Sequence, residues 1–333
     1  MTALPRVWFE RAPLLAFASE VGALCAVLGP TADDPDAGLA GAVAVLAGQR
    51  RYDAAFMDLA PELLVIARTG IGYDTVDVAE ATRRGIAVCN APEAPTISTA
   101  EHAAALILAV TKRLPQAATA LREGSGGGYF AAHSGIELDG KVLGLVGFGR
   151  IGRRLATIAR GLGMSVVVCD PFLDASAIPA GVTRVDSLAE LLATADVVSV
   201  HVPLTDASRG LFGAAEFASM KPGAVFVNTA RGGLVDQDAL LAALESGHLF
   251  GAGLDVTSPE PLPPDHPLLR REDVVVTPHV ASATREGKER MFRVAFDQAM
   301  AVLEGRRPEF LVNPEAWPGR AAALAAISAG AGG

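Results

Sequence analysis

Cysteine is scarce in this chain of 333 residues: Cys25, Cys89 and Cys169 stand far apart, are odd in number and form no C-x-x-C pair. That excludes a disulfide framework and fits free buried thiols in a reducing compartment. Positive charge is also short, with 28 Lys and Arg against 37 Asp and Glu for a net charge of −9. An acidic surface repels phosphate backbones and anionic lipid, so neither nucleic acid nor membrane is the expected partner. Long uninterrupted apolar runs are missing. The stretch from Ala12 to Gly29 is broken by Glu20 and preceded by Arg6, Glu10 and Arg11, which reads as a helix and a strand rather than an export signal or a span. A cytoplasmic protein is expected. No repeat of 20–50 residues appears, which removes solenoids and propellers.

What is present is a large core. Half the residues are apolar and a fifth are charged, so global disorder is excluded. The length predicts about two domains of roughly 150 residues. Short β-branched runs alternate with Ala/Leu-rich helical stretches, the pattern of α/β folds with parallel sheets. A first series predicts strands at 6–9, 24–28, 42–46, 63–67 and 86–89. A second predicts them at 142–146, 165–169, 197–200, 224–227, 251–254 and 274–276, six strands and the count of a dinucleotide-binding fold. Between them, Ser98-Thr99-Ala100-Glu101 has the form of a capping box opening a helix, Ala103 to Val110, that is apolar all round. Such a helix must be covered on every side, by two domains or by a second subunit. A homodimer through residues 98–113 is therefore expected. Gly124–Gly128 reads as a flexible turn, and Ala321–Gly333 as a weakly ordered tail.

Residues Val142 to Gly152 run as a strand into G-x-G-x-x-G and then a helix. Gly147 would make the tight turn, Gly149 would let the backbone approach a pyrophosphate, and Gly152 would let helix and strand pack closely. The helix start offers N–H groups and a positive dipole to phosphates. The next strand ends in Asp170, where a carboxylate accepts from both ribose hydroxyls and repels a 2′-phosphate, selecting NAD over NADP; as a mere loop cap before Pro171 it would do neither. Taken alone, this signature leaves an S-adenosylmethionine methyltransferase open.

Position narrows the choice. Asn228-Thr229-Ala230-Arg231 follows the fourth strand of the second series, Asp255 to Glu260 the fifth, and Thr277-Pro278-His279 the sixth. Ligands of doubly wound sheets bind at the carboxyl ends of the strands, so an Arg, a Glu and a His share a rim with the glycine loop. Arg can clamp a carboxylate, and a Glu beside a His favours the imidazolium. Asp255 could cap a loop or meet the nicotinamide amide. His102, His133, His201, His248 and His266 lack metal-ligand spacing and read as structural; no metal is expected.

From about Leu63 to Arg307 these motifs resemble the D-isomer-specific 2-hydroxyacid dehydrogenase family, most nearly its short, D-3-phosphoglycerate dehydrogenase-like members. The resemblance implies two doubly wound domains, a Rossmann NAD-binding domain inserted into a flavodoxin-like substrate domain. The boundaries would be 1–97 and 289–320 for the substrate domain, 98–288 for the NAD-binding domain and 321–333 for the tail. A chain that crosses twice has a hinge near 95–100 and 285–295, so the cleft is expected to close on cofactor. The implied activity is hydride transfer between nicotinamide C4 and C2 of a D-2-hydroxy acid. His279 would exchange the proton, Arg231 would bind the carboxylate and polarise the carbonyl, and Glu260 would hold and charge the imidazole. The resemblance also sets Gly147, Gly149, Arg150, Ile151, Gly152, Asp170, Val202, Pro203, Thr229, Ala230, Arg231, Asp255 and His279 against NAD. Arg68, Thr69, Gly70, Ile71 and Gly72 match the family's substrate loop, with Arg231 and His279 also on the substrate. Arg68 stands where phosphoglycerate dehydrogenases bind phosphate, or it could pair with Asp74 or Asp77. A serine-binding regulatory domain, and feedback control with it, is not expected in a chain of this length. Alternatives are a glyoxylate/hydroxypyruvate or other 2-oxoacid reductase and, outside enzymes, an NAD-sensing co-repressor-like protein.

Overall fold

The computed structural model of the chain describes residues 3–125, 128–174 and 178–317. Part of the Gly124–Gly128 turn, and all of the 321–333 tail, lie outside them. Two compact units are formed, one from Met1–Pro95 with Arg285–Gly333 and the other from Thr96–Thr284.

The first unit is built on five parallel strands: β1 (Arg6–Phe9), β2 (Ala26–Leu28), β3 (Ala44–Ala47), β4 (Val65–Arg68) and β5 (Ala87–Cys89), in the order β2-β1-β3-β4-β5. Both faces are covered, so the inner strands are near-continuous apolar runs rather than alternating ones. Val7 and Phe9 face the helix Arg285–Leu303, where Phe292 and Phe296 stack on the Phe9 ring. Trp8, Val45 and Ile66 point the other way, into a cluster with Tyr52, Phe56 and Met57. Ala12–Gly29 folds into the helix Ala18–Leu24 and strand β2, as its broken apolar pattern implies. Asn313 closes the β5 edge, accepting from Val88 N at 2.8 Å and donating to the Ile86 carbonyl at 2.9 Å.

The second unit holds β6 (Val142–Val146), β7 (Ser165–Cys169), β8 (Val182–Arg184), β9 (Val197–Val200), β10 (Ala224–Asn228), β11 (Leu249–Leu254) and β12 (Val274–Val276). They form one parallel sheet in the order β12-β11-β10-β9-β6-β7-β8. The sheet thus has one strand more than the sequence pattern showed. The addition, β8, is three residues on the edge beside β7, too short and too exposed to carry a periodic signal. The second unit is a Rossmann fold, and the smaller first unit has the 2-1-3-4-5 order of flavodoxin-like sheets.

One further expectation changes. The first helix of the second unit spans Thr96–Thr111, so Ser98 lies inside it rather than capping it, and its Oγ meets Thr284 Oγ1 at 2.8 Å. The same helix is covered by its own sheet: Leu106 and Val110 lie over Gly253 and Gly251, where a Cβ would come within 2.9 and 2.8 Å of them. Ile97 and Ala105 of the same helix stay exposed. Among the described residues no helix is long and apolar enough to cross a membrane. Cys25 and Cys89 are free and buried, with burial pushing their thiols up to about 11 and 12, while free Cys169 is half-buried.

Candidate active site

The seven-stranded sheet reverses its winding between β6 and β9, and ligands of open α/β sheets bind outside such a reversal, at the carboxyl ends of the strands. The loop after β6 is Gly147–Gly152. Gly147 has φ +93°, and a Cβ there would lie 2.8 Å from the His201 carbonyl, so the loops after β6 and β9 touch backbone to backbone. A Cβ on Gly152 would sit 2.6 Å from Gly147 O, so the helix Arg150–Gly161 starts hard against the turn. Gly149 differs: nothing comes within 4 Å of a Cβ placed there, and as N-cap it supplies no side-chain acceptor. The start of this helix therefore has no side-chain cap and open space at Gly149, which suits a pyrophosphate.

Asp170 ends β7 beside this loop. Its Oδ2 accepts from Phe148 N at 2.8 Å and its Oδ1 from Phe172 N at 2.9 Å. Each carboxylate oxygen keeps a lone pair for a further donor such as a ribose hydroxyl. Across the reversal, Val202 and Pro203 follow His201 after β9. His201 bonds Ser199 Oγ at 2.9 Å, and burial holds it down to about 4, so it stays neutral near pH 7. Thr229 carries another mark of a binding surface, because its buried Oγ1 has no hydrogen-bond partner among the described residues.

Strand register brings the other three loops together. Asn228, Leu254 and Val276 are aligned across β10, β11 and β12, so Thr229, Asp255 and Thr277 begin neighbouring loops at the same rim. The buried Asn228 pinches the first loop: its Oδ1 accepts from Ala230 N at 2.9 Å and its Nδ2 donates to the Arg231 carbonyl at 2.8 Å. Arg231 itself is half-buried, with Nη1 on the Ala230 carbonyl at 2.7 Å. Gly232 lets this loop press on the next; a Cβ there would fall 2.0 Å from the Thr257 carbonyl. Gln237 then clamps Ser258, its Nε2 donating to the Ser258 carbonyl at 2.7 Å and its Oε1 accepting from Ser258 N at 2.9 Å, fixing the segment that leads to Glu260.

The third loop is organised by Asp255. Its carboxylate accepts from Thr277 Oγ1 at 2.6 Å, Val280 N at 2.9 Å and Ala281 N at 2.8 Å, while its carbonyl accepts from His279 N at 2.8 Å. Burial alone would push the Asp255 carboxyl up, but donors from His102, Thr277, Val280 and Ala281 reverse this and hold it below the usual range. His102 contributes from the helix Thr96–Thr111, its Nε2 lying 3.0 Å from Thr277 Oγ1. This scaffold holds His279 at φ +52°, a left-handed conformation that costs a β-carbon residue about 1–2 kcal/mol. Held there, His279 places Nδ1 2.5 Å from Glu260 Oε1. A carboxylate only accepts, so Nδ1 carries the proton of this bond, and in the neutral ring Nε2 is left as the basic nitrogen.

Of the residues singled out in the sequence, Gly147–Gly152, Asp170, Val202, Pro203, Thr229–Arg231, Asp255, Glu260 and His279 all lie at this rim. Arg68–Gly72 belong to the first unit, after β4. There the guanidinium of Arg68 is buried, with Nε on the Gly72 carbonyl at 2.9 Å and Nη1 on the Ala47 carbonyl at 3.0 Å. Sequence does not distinguish Gly232, Gln237 and His102 as organisers, since their partners lie 21 to 175 residues away, nor Asn228, whose local pinch on Ala230 and Arg231 leaves no periodic signal. The available signals were weak: an Asn ending an apolar strand and a lone His in an apolar helix. Among the described residues no group of three or more His, Cys, Asp or Glu is arranged to hold a metal.

Residues 104–281 match the family model described as D-isomer specific 2-hydroxyacid dehydrogenase, NAD binding domain. The chain belongs to the D-isomer specific 2-hydroxyacid dehydrogenase family. Residues 104–281 are its NAD-binding domain, and the open glycine loop, the uncapped helix start and the orphaned Thr229 hydroxyl fit that cofactor. Among relatives in this dehydrogenase family, the D-3-phosphoglycerate dehydrogenase of Archaeoglobus fulgidus is 42% identical over 270 residues, 81% of this chain and 51% of that one. The glyoxylate reductase of Korarchaeum cryptofilum is 42% identical over 268 residues, 79% of this chain and 80% of that one. The chain spans about half the length of the phosphoglycerate dehydrogenases it matches. Among solved structures, the TT0316 protein of Thermus thermophilus is 43% identical with a TM-score of 0.83, covering 92% of this chain and 99% of that one.

Proposed function

We propose that this chain is an NAD-dependent oxidoreductase that interconverts a D-2-hydroxy acid and its 2-oxoacid. The observation that carries the reading is the bond of His279 to Glu260 on the rim where Arg231 and the glycine loop also end. The bound nicotinamide supplies the hydride to C2 in the reductive direction and receives it in the other. His279 Nε2 gives a proton to the C2 oxygen during reduction and takes the hydroxyl proton during oxidation, so that a C=O becomes a CH–OH with no charge left on oxygen. Glu260 holds the ring in the required tautomer and stabilises the imidazolium. Arg231 binds the substrate carboxylate and polarises the carbonyl. Asp170 would accept from the adenosine ribose hydroxyls and so select NAD over NADP, and Arg150, Ile151, Val202, Pro203, Thr229, Ala230 and Asp255 would complete the cofactor surface.

The Rossmann unit, residues 98–288 from sequence, is the NAD-binding domain in this reading, and the unit comprising 1–97 and 289–320 is the substrate domain. Its loop Arg68–Gly72 receives the substrate. Support comes from backbone donors: none of the N–H groups of Gly70, Ile71 and Gly72 meets an acceptor among the described residues. The relatives divide between phosphoglycerate dehydrogenases and glyoxylate reductases, so the substrate is a small 2-oxoacid, with or without a phosphate. We further assign a cytoplasmic homodimer. Its contact surface is the helix near 98–113, continued by the helices Leu114–Arg122 and Tyr129–Ala132, which bury no residue and expose Leu114, Leu121 and Phe130. The test of function is the loss of NADH absorbance with a panel of 2-oxoacids. Turnover that disappears in His279→Ala is expected, and silence across the panel from a folded protein would overturn the reading.

A further inference from the structure

The sheet of the first unit also reverses its winding, between β1 and β3, and by the rule for open α/β sheets this is where a ligand's polar group would enter. Immediately after β3, the N–H groups of Gly48, Gln49 and Arg50 converge in a backbone nest of the kind that binds anions. The chain fills that nest itself. Glu10, the residue after β1, accepts from Gly48 N at 2.7 Å, Gln49 N at 2.9 Å and Arg50 N at 3.2 Å. Tyr52 adds its hydroxyl to Glu10, and burial together with the Glu10 charge raises the Tyr52 phenol so that it stays a donor. Gly48 is shaped for this occupant, since a Cβ there would lie 2.6 Å from the Glu10 carboxylate.

The neighbouring loop shows the complementary condition. Ala47, the last residue of β3, pairs with Arg68 in β4, so the nest and the Arg68–Gly72 loop start side by side. The Arg68 side chain and the Thr69 N–H and hydroxyl all donate to the Ala47 carbonyl, at 3.0, 3.0 and 3.1 Å, which ties the loop to the base of the nest. Beyond that tie, the three N–H groups at 70–72 remain available. This rim therefore offers donors for one anionic group and has its second anion position occupied by its own carboxylate.

We propose that Glu10 is a specificity-determining plug, restricting the substrate to 2-oxoacids whose only anionic group is the carboxylate and turning away phosphate esters. The inference rests on the reading above that the first unit receives the substrate. A phosphate approaching the nest would meet the Glu10 charge in place of three donors. Removing that carboxylate exposes a site for a dianion.

Hydroxypyruvate and its 3-phosphate differ only by the group in question, so their kcat/KM values with NADH in the full chain decide the matter. The wild type is expected to prefer hydroxypyruvate at least about tenfold. Glu10→Ala should narrow the ratio by about 10–100-fold, the worth of charge-assisted hydrogen bonds to a phosphate, with the change in KM for the ester. Inorganic phosphate should raise the Tm of Glu10→Ala and leave the wild type unmoved. Should Glu10→Ala not fold, the isosteric Glu10→Gln is expected to move the ratio in the same direction by at least about threefold. A wild type that prefers the ester, or an NADH-binding variant with an unmoved ratio, would overturn the plug while leaving the dehydrogenase reading intact. No turnover with any 2-oxoacid would overturn both.

Discussion

The two sheets of this protein pose the same problem at their winding reversals and answer it in opposite ways. In the second unit the loop after the first strand ends in Gly149, with open space around it and an uncapped helix behind it. In the first unit the backbone donors after β3 are closed by Glu10, a side chain from the adjacent strand end. Parallel α/β topology creates an anion-binding position at both places. A carboxylate from the neighbouring strand end meets both loops, but Asp170 takes only the Phe148 N–H whereas Glu10 takes those of Gly48, Gln49 and Arg50. Fold alone therefore does not assign a site; the residues at the strand ends do.

The largest expected effect tests the open rim. His279→Ala should lower kcat by about 10²–10⁴, the usual worth of a general acid–base group. Activity close to that of the wild type would remove His279 from the reaction. Next, Gly147→Ala puts a methyl 2.8 Å from a carbonyl oxygen at φ +93°, and NADH affinity measured by fluorescence should fall at least about tenfold. An unchanged affinity would mean the turn is dispensable. Asp170→Ala should weaken NAD binding and shrink the NAD-to-NADP preference by about tenfold; a constant ratio would place specificity elsewhere.

Two smaller effects probe the scaffold behind His279. The folded-state carboxyl of Asp255 titrates below the usual range, so its stabilising contribution is complete above the unfolded value of about pH 4 and is lost as pH falls through the folded value. Asp255→Asn should accordingly flatten the acid limb of a Tm-against-pH curve, and a limb as steep as that of the wild type would show that other carboxyls govern acid unfolding. Gln237→Ala removes only the clamp on Ser258, so kcat is expected to fall about two- to tenfold with little change in NADH affinity. A matching loss of NADH affinity would mean that Gln237 supports the whole rim rather than the Glu260 loop.

Much of this was legible along the chain because the relevant signals are local. Strands 142–146, 165–169 and 197–200 coincide with their apolar runs, since a strand buried on both faces has to be apolar throughout, and the half-buried edge strand 274–276 coincides with its run of valines. The glycine loop and the residues that follow β10, β11 and β12 could be found because strand ends can be counted. Edge strand β8 escaped, being too short for a pattern. Ser98 misled, because S-x-x-E is a capping box only where the helix begins there, and the backbone enters this helix two residues earlier. Nothing local marks Gly251 and Gly253 as the surface that receives Leu106 and Val110 of the apolar helix.

Composition, periodicity and motif spacing by themselves determined the α/β class, two parallel-sheet series, the dinucleotide loop and the identity of the Arg, Glu and His on one rim. These follow from backbone geometry and burial, which act over a few residues. Tertiary structure alone decided that Asp255 holds His279 in its left-handed conformation, that Gly232 and Gln237 bring the Glu260 loop into place, and that Glu10 fills the nest at 48–50. Each depends on hydrogen bonds or backbone contacts between residues at least 20 positions apart, which exist only once the strands have aligned their ends.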